Sequence, residues 1–264
     1  LRSIVESGVP HGDIQVLFDV SEENGLFGAK AMDAKKIKAR LGYVMDTEKP
    51  VGGIVVRAPY HETMTVEITG RASHAGIAPE KGVSAIIAVS KAISKMMLGK
   101  IGDDTTANVG VIEGGKARNI IPDRVSVKAE ARSMYEDKLL SQVEHMTKLF
   151  EQEAAEIGAS AKVESTREYS GFQFTSDDEV VKLAIEANRR LGLEPVFDEK
   201  LGGSDANVFN AAGIPTVNIG VGYEGAHSSS ENIALSDLVK AAEFVESLVL
   251  CAAENPVPSP EGEG

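Results

Sequence analysis

The stretch that decides the fold is Leu17-Phe-Asp-Val-Ser-Glu-Glu-Asn-Gly-Leu-Phe-Gly-Ala29. The apolar segment Ile14–Val20 is typical of a strand, and it leads into two adjacent carboxylates, Glu22 and Glu23. A helix-like run from Gly28 to Arg40 follows a glycine-broken turn, so the pattern predicts that the Glu pair lies where a strand ends and a helix begins. Ligands of α/β sheets collect at that edge. Neighbouring side chains on an extended backbone point opposite ways, so one carboxylate can bind a metal while the other faces a water. A solvated acidic turn is the alternative interpretation.

Two further predicted strand ends carry candidate metal ligands. Strands predicted at Leu41–Met45 and Thr216–Val221 lead to Asp46 and to a glycine-rich loop that contains His227. With Glu23, these residues form a candidate metal site, because oxygen and imidazole ligands without thiolates suit Zn²⁺, with Co²⁺ or Mn²⁺ as alternatives. Their long sequence separations do not define a geometry, and a merely exposed loop histidine is the other interpretation of His227.

Residues 59–168 follow a different pattern: strand, helix, strand, strand, helix, strand. Apolar residues alternate with polar ones at Met64, Val66 and Ile68, and again from Val125 onward, which is typical of half-buried antiparallel strands. This βαββαβ order predicts a ferredoxin-like domain. We expect it to be inserted into an α/β domain formed by residues 1–58 and 169–264.

Composition excludes several classes of function. The chain has 264 residues with 27 basic and 40 acidic side chains, and this net charge of −13 disfavours nucleic acid and anionic membranes as partners. No apolar stretch approaches the ~20 residues of a membrane span. The single cysteine, Cys251, excludes an internal disulfide and indicates a reducing compartment such as the cytoplasm. No Gly-x-Ser-x-Gly motif is present, so nucleophilic catalysis has no support.

Taken together, five motifs resemble the M20 family of metallopeptidases and amidohydrolases, in particular its peptidase T-like branch. In family order, they are Ser21–Ala29, Gly42–Asp46, Ser73–Gly76, Asn119–Pro122, and Gly202–Asp205 through Ala226–Ser228. The resemblance covers nearly the whole chain. It implies a three-layer zinc-peptidase-like catalytic domain that carries two divalent metals, and an inserted lid domain that mediates homodimerisation.

The resemblance also implies a role for each residue of the candidate metal site. Glu22 is expected to be the general base. Glu23 and His227 are expected to bind one metal, and Asp46 the other. An Asp at position 46, where acylases and carboxypeptidases of the family tend to carry Glu, favours aminopeptidase-like activity.

The expected substrate contacts come from the inserted domain. His74 is expected to reach the substrate and polarise the scissile carbonyl, in related dimers from the lid of the partner subunit. Asn119 and Arg132 are expected to hold the substrate. The implied activity is hydrolysis of peptide bonds in short peptides, as by an aminopeptidase or tripeptidase. Deacylation of N-acyl amino acids, and a truncated non-catalytic protein that dimerises or binds, are the alternatives.

One family motif is missing from this sequence. The resemblance places a His-x-Asp motif, which supplies a ligand of the second metal and the carboxylate that bridges both metals, well upstream of the Glu pair. His11 and Asp13 are too close to Glu22 to replace it. We therefore expect that an N-terminal segment precedes Leu1 in the complete enzyme, and that this chain is an incomplete form.

Overall fold

The computed structural model describes residues 2–199 and 201–255. The helices are α1 (Arg2–Ser7), α2 (Phe27–Ala31), α3 (Ala85–Lys95), α4 (Glu136–Glu156), α5 (Glu179–Arg190), α6 (Asp205–Ala211) and α7 (Leu235–Glu254). The strands are β1 (Gly42–Thr47), β2 (Ile54–Ala58), β3 (Tyr60–Thr69), β4 (Gly99–Ile101), β5 (Thr105–Gly114), β6 (Arg124–Ser133), β7 (Ser160–Tyr169), β8 (Phe172–Gln173), β9 (Phe197–Glu199), β10 (Thr216–Gly220), β11 (Tyr223–Glu224) and β12 (Asn232–Ile233). In the described part, no helix is both long and apolar enough to span a membrane.

The chain divides into two compact units. Residues 1–58 and 172–264 form the first unit, and residues 59–171 form the inserted unit. The chain returns to the first unit at Phe172 rather than at the predicted residue 169, because β7 continues to Tyr169.

A mixed sheet forms the centre of the first unit. Its strand order is β1-β10-β2-β8, and β9 also pairs with β2. Strands β1 and β10 are parallel, whereas β10 and β2 are antiparallel. Strand β10 is buried along its whole length. An apolar strand with neighbours on both edges is the expected middle of such a sheet.

Helices cover both faces of this sheet. Tyr43 and Met45 of β1 pack against the core that α5 and α7 build around Phe244. Val44, between them, packs instead with Ala206 of α6. Since successive side chains of a strand point to opposite faces, α6 lies on the other face from α5 and α7. The expected three-layer α/β architecture is confirmed.

The strand predicted at Ile14–Val20 is wrong. Across residues 2–199 and 201–255, no strand pairs with this segment, and most of its apolar side chains are exposed, that of Phe18 to 93%. Strand structure depends on backbone partners, which local sequence does not supply. Three consecutive apolar residues, Val16, Leu17 and Phe18, also break the alternation of a half-buried strand. The Glu pair therefore follows an irregular segment.

The helix predicted at Gly28–Arg40 is also wrong in its length. Helix α2 ends at Ala31 because Met32 is extended, with φ −70° and ψ 134°. The carboxylate of Asp33 then accepts a hydrogen bond from the N–H of Lys35 at 3.1 Å and caps a separate 3₁₀ turn, Ala34–Lys36. Such local side-chain bonds compete with helix continuation.

The inserted unit follows its sequence pattern closely. It has the order β3, α3, β5, β6, α4, β7, with β4 as a short additional strand. The sheet order is β4-β5-β6-β3-β7 with antiparallel pairing. Helices α3 and α4 pack on one face around Phe150, where Val66 and Ile68 are buried. The other face carries polar side chains, as in a ferredoxin-like unit.

Candidate functional site

The Glu pair lies in a tight turn that glycine makes possible. Glu22 and Glu23 begin a 3₁₀ turn, Glu22–Asn24, and Ser21 before it has a φ of 61°. A Cβ atom on Gly28 would lie 2.3 Å from the carbonyl oxygen of Val20. Only glycine therefore lets α2 approach the segment that presents the two carboxylates.

Glu23 and His227 meet in the first unit. Nδ1 of His227 lies 3.0 Å from Oε2 of Glu23, and both side chains are largely exposed. His227 has a φ of 61°, a left-handed conformation that is uncommon for a residue other than glycine. Two of the three predicted metal ligands are thus in direct contact.

Asp46 is held by neighbours on both its main chain and its side chain. The amide of Asn218, on the adjacent strand β10, accepts from the Asp46 N–H at 3.1 Å and donates to the Asp46 carbonyl at 2.7 Å. The hydroxyl of Tyr223 donates to Oδ1 of Asp46 at 3.4 Å. Burial and the charge of Asp46 raise the pKa of Tyr223 to about 12, so it stays a hydrogen-bond donor at neutral pH.

Glu22 interacts electrostatically with Glu23, Asp46 and His227. Partial burial raises the pKa of Glu22 to about 7, and the charges of Asp46 and Glu23 act in the same direction. His227 opposes them. The predicted base, Glu22, and the three predicted metal ligands, Glu23, Asp46 and His227, therefore lie close enough to interact. We call this part of the first unit the acidic corner.

Asp205 and Asp19 extend this acidic corner. Burial, a hydrogen bond with Asp19 and the charges of Glu22 and Asp46 raise the pKa of Asp205 to about 7. Asp205 is only 8% exposed. In the part of the chain that the structure describes, its Oδ1 and the Oδ2 of Asp19 are buried without a hydrogen-bond partner.

The donor set of this corner fits a divalent cation by its chemistry. Among residues 2–199 and 201–255, no three His, Cys, Asp or Glu side chains already surround one point as metal ligands. The corner nevertheless offers carboxylate oxygens and one imidazole, and the main charges that act on Glu22 are those of Asp46, Glu23, His227 and Asp19. A cation is the group that would relieve the mutual repulsion of these acids.

In the inserted unit, His74 and Asn119 lie side by side. The antiparallel ladder of β3 and β6 continues beyond both strands, so that the N–H of Ala75 donates to the carbonyl of Asn119 at 2.9 Å. His74 forms an isolated bridge with Ile120. Both His74 and Asn119 are exposed.

Arg132 lies at the opposite end of the same sheet. It pairs with His61 near the start of β3, whereas His74 and Asn119 lie beyond the end of β3. Strand β3 has ten residues, so roughly 25 Å separates the two groups at ~3.3 Å per residue. The structure thus brings together two of the three predicted substrate residues and keeps the third apart.

Four residues of the corner were not predicted as site residues: Asp19, Asp205, Asn218 and Tyr223. A polar residue inside the apolar strand β10 was the available signal for Asn218, since buried polar side chains take hydrogen-bond partners. The motif Gly202–Asp205 was recognised, but no role was assigned to the carboxylate of Asp205. No local pattern indicated Tyr223.

A protein-family model and a bacterial protein both match this chain. A family model described as a peptidase dimerisation domain, M20_dimer, matches residues 61–158. The chain is 44% identical over 254 residues to an uncharacterized protein, YqjE, of Bacillus subtilis strain 168. That match covers 96% of this chain and 68% of the relative.

Two solved structures are similar to the whole described fold. One is an aminopeptidase, PepT, from Bacillus cereus, with 46% identity and a TM-score of 0.88. The other is a tripeptidase from Staphylococcus aureus, with 41% identity and a TM-score of 0.91. Each covers 96% of this chain and 68% of the solved chain. The chain therefore spans about two thirds of the length of the proteins that it matches.

Proposed function

This chain belongs to the M20 peptidase family, with the peptidase T-like proteins, and we propose that its acidic corner serves metal-dependent hydrolysis of peptide bonds in short peptides. One observation carries the proposal. Glu23 and His227, far apart in sequence, are in contact at 3.0 Å, next to a second carboxylate whose pKa is raised to about 7.

The metal ligands in this proposal are Glu23 and His227 for one cation and Asp46 for another. Carboxylate and imidazole ligands favour Zn²⁺, and Co²⁺ or Mn²⁺ accept the same donors. When bound, such a cation polarises a carbonyl and makes water acidic. Asn218 and Tyr223 fix Asp46 for this role through the hydrogen bonds described above.

Glu22 is the proton carrier. It accepts a proton from the attacking water at its carboxylate and then delivers that proton to the leaving amine. A carboxyl group whose pKa is about 7 exchanges protons well near neutral pH, and this is the usual requirement for a general acid–base catalyst. His74 stabilises the oxygen on which negative charge develops.

The separation of the substrate residues favours a homodimer. An extended tripeptide spans at most about 10 Å, so Arg132 and His74 of one chain, roughly 25 Å apart, do not contact the same short peptide. We therefore assign Arg132 to one substrate molecule, and His74 with Asn119 to the substrate bound by a second copy.

One edge of the inserted sheet is suited to pairing with that second copy. Strand β4 covers β5 only as far as Ala107, so the edge of β5 beyond it is unpaired in the described part. Val111 and Ile112 are exposed there, and Ile112 lines an apolar groove of about 280 Å³ with Ile86 and Ile93 of α3. The other edge, β7, carries Lys162 and Glu164, charges that discourage edge pairing.

The compartment that fits this proposal is the cytoplasm, because the only cysteine is a free, buried thiol. The acidic net charge of −13 is compatible with neutral peptides as substrates and unfavourable for nucleic acid.

The experiment is a substrate panel on the natural full-length protein, loaded with Zn²⁺, Co²⁺ or Mn²⁺ in turn. We expect hydrolysis of di- and tripeptides that chelator abolishes and added metal restores. N-acyl amino acids form the comparison arm. Faster turnover of acyl amino acids than of peptides, or turnover that survives chelation, would contradict the proposal.

A further inference from the structure

His61, Glu130 and Arg132 share the open, polar face of the inserted sheet. His61 of β3 lies directly opposite Arg132 of β6 in the antiparallel register. Glu130 is two residues before Arg132 on β6, so its side chain points to the same face. The sequence thus places a histidine and a carboxylate beside the arginine to which a substrate-binding role is assigned above.

One carboxylate oxygen joins the three side chains. Oε2 of Glu130 accepts a hydrogen bond from Nε2 of His61 at 3.0 Å and another from Nη2 of Arg132 at 3.1 Å. The bond from His61 is the main reason, with the bond from Arg132, that the pKa of Glu130 falls to about 2. Because an ionised carboxylate only accepts, Nε2 of His61 carries the proton in this pair.

Burial and ring packing hold the side chain of His61 in place, in addition to its hydrogen bond with Glu130. Its side chain is buried, and its ring packs against Tyr169 with 5.1 Å between ring centroids. Its other ring nitrogen, Nδ1, is buried and has no hydrogen-bond partner within the described ranges. An unpaired buried nitrogen destabilises a fold. A histidine kept there despite this cost points to a role other than stability.

A comparable glutamate–arginine pair lies on the opposite face of the sheet. Glu62, the neighbour of His61, pairs with Arg167 at 3.2 Å, and Arg167 also pairs with Glu136 at 2.9 Å. That arginine is shared between two carboxylates of the unit itself. Glu62 and Arg167 therefore serve as an internal reference for a purely structural glutamate–arginine pair.

We propose that Glu130, held by His61, is a positioning residue that fixes the guanidinium of Arg132 to recognise a carboxylate of the peptide substrate. The proposal rests on the proposed function, in which Arg132 contacts substrate. A guanidinium binds a carboxylate through two parallel N–H bonds only when its plane is correctly oriented. Glu130 fixes that plane through one Nη atom, and the side chain of Arg132 remains 28% exposed to a ligand.

The test compares peptides with a free C-terminal carboxylate and the same peptides as C-terminal amides, in the natural full-length enzyme. In wild type, we expect the acid to have the lower KM. Glu130→Ala should raise the KM for the acid about tenfold, change kcat for either substrate by less than about twofold, and leave the KM for the amide unchanged. Arg132→Ala should give the same selective loss.

Two variants separate positioning from general damage. His61→Ala should reproduce the effect of Glu130→Ala, whereas His61→Gln, which keeps an N–H donor, should recover most of the acid preference. Glu62→Gln, the matched control on the opposite face, should lower the melting temperature without changing the ratio of the two KM values. Combining Glu130→Ala with Arg132→Ala should raise the KM no further than Arg132→Ala alone.

The outcomes distinguish the two levels of the proposal. Absence of peptide hydrolysis in the metal-loaded wild type overturns the proposed function and this inference with it. If wild type is active and Arg132→Ala loses acid preference while Glu130→Ala keeps it, only the positioning role is overturned. Equal losses for acid and amide in Glu130→Ala would also overturn it, because they would reflect general damage to the site.

Discussion

Two carboxylates, one in each unit, have pKa values shifted in opposite directions. Glu130 of the inserted unit accepts hydrogen bonds from His61 and Arg132, and its pKa falls to about 2. In the first unit, burial and neighbouring acids raise the pKa of Glu22 to about 7. The inserted unit compensates its buried charge with its own basic side chains, as Glu153 does with Lys95. The acidic corner instead gathers carboxylates around a single imidazole. The difference separates a carboxylate that is balanced by basic side chains of the protein itself from carboxylates that a bound cation would balance.

We expect the largest effect, a loss of catalytic activity, when Glu22, whose pKa is raised, is replaced. Glu22→Gln keeps the shape of the side chain but cannot carry a proton, so kcat for peptides should fall by ~10²–10⁴-fold. Metal content should be unchanged, because Glu22 is not assigned as a ligand. Turnover should be measured together with elemental analysis of the same sample. Wild-type turnover in this variant would remove Glu22 from the mechanism.

Core substitutions test whether the two units are also distinct in stability. Phe150 of the inserted unit and Phe244 of the first unit are each fully buried. Replacing either by alanine should lower the free energy of unfolding of its unit by about 3–5 kcal/mol. Calorimetry should show each substitution shifting a different transition. A single transition that shifts equally in both variants would show that the units unfold together.

The two edges of the inserted sheet, β5 and β7, should differ in how strongly a substitution there weakens dimerisation. Ile112→Lys puts a charge into the apolar groove beside β5 and should raise the dimer Kd by at least about tenfold, because an unpaired charge is costly to bury. Glu164→Lys on β7 is the matched control and should leave association unchanged. Sedimentation measures both. Equal dimerisation by Ile112→Lys and wild type would exclude this edge.

The smallest predicted effect is the acid sensitivity of the inserted unit. Since the folded-state pKa of Glu130 is depressed to about 2 from an ordinary 4.5, its contribution is fully present above pH ~4.5 and is lost as pH falls from there through 2. Water screens this partly exposed group, so we expect a loss on the order of 1 kcal/mol.

The control for this pH effect is Glu130→Gln, which has no carboxylate to titrate at that position. The difference in stability between wild type and this variant should therefore shrink between pH 5 and pH 2 in chemical denaturation. A difference that stays constant across this range would show that Glu130 has an ordinary pKa.

The sequence was most informative where structure depends on local periodicity. The alternation of Met64, Val66 and Ile68 predicted a half-buried strand, and the structure has one, because each strand of the inserted unit finds partners within the unit itself. Parallel pairing of β1 and β10, in contrast, joins segments far apart in the chain. Ile14–Val20 failed as a predicted strand for the same reason, since a strand is completed by its neighbours.

The site, too, was predictable from the sequence only in part. The motifs indicated Glu23 and His227, but their contact depends on how two distant loops fold. Asp205 and Tyr223 become part of the corner only through burial and proximity to Asp46, which no spacing encodes. Likewise, the distance between Arg132 and His74 follows from the register of β3 and β6 rather than from either motif.

The most direct test of the account is metal stoichiometry in the natural full-length protein, measured by elemental analysis after dialysis against Zn²⁺. Wild type should retain divalent metal, while His227→Ala and Glu23→Gln should each lose it, with their melting temperatures no longer raised by added Zn²⁺. Equal metal occupancy in wild type and both variants would contradict the claim that this acidic corner holds a cation.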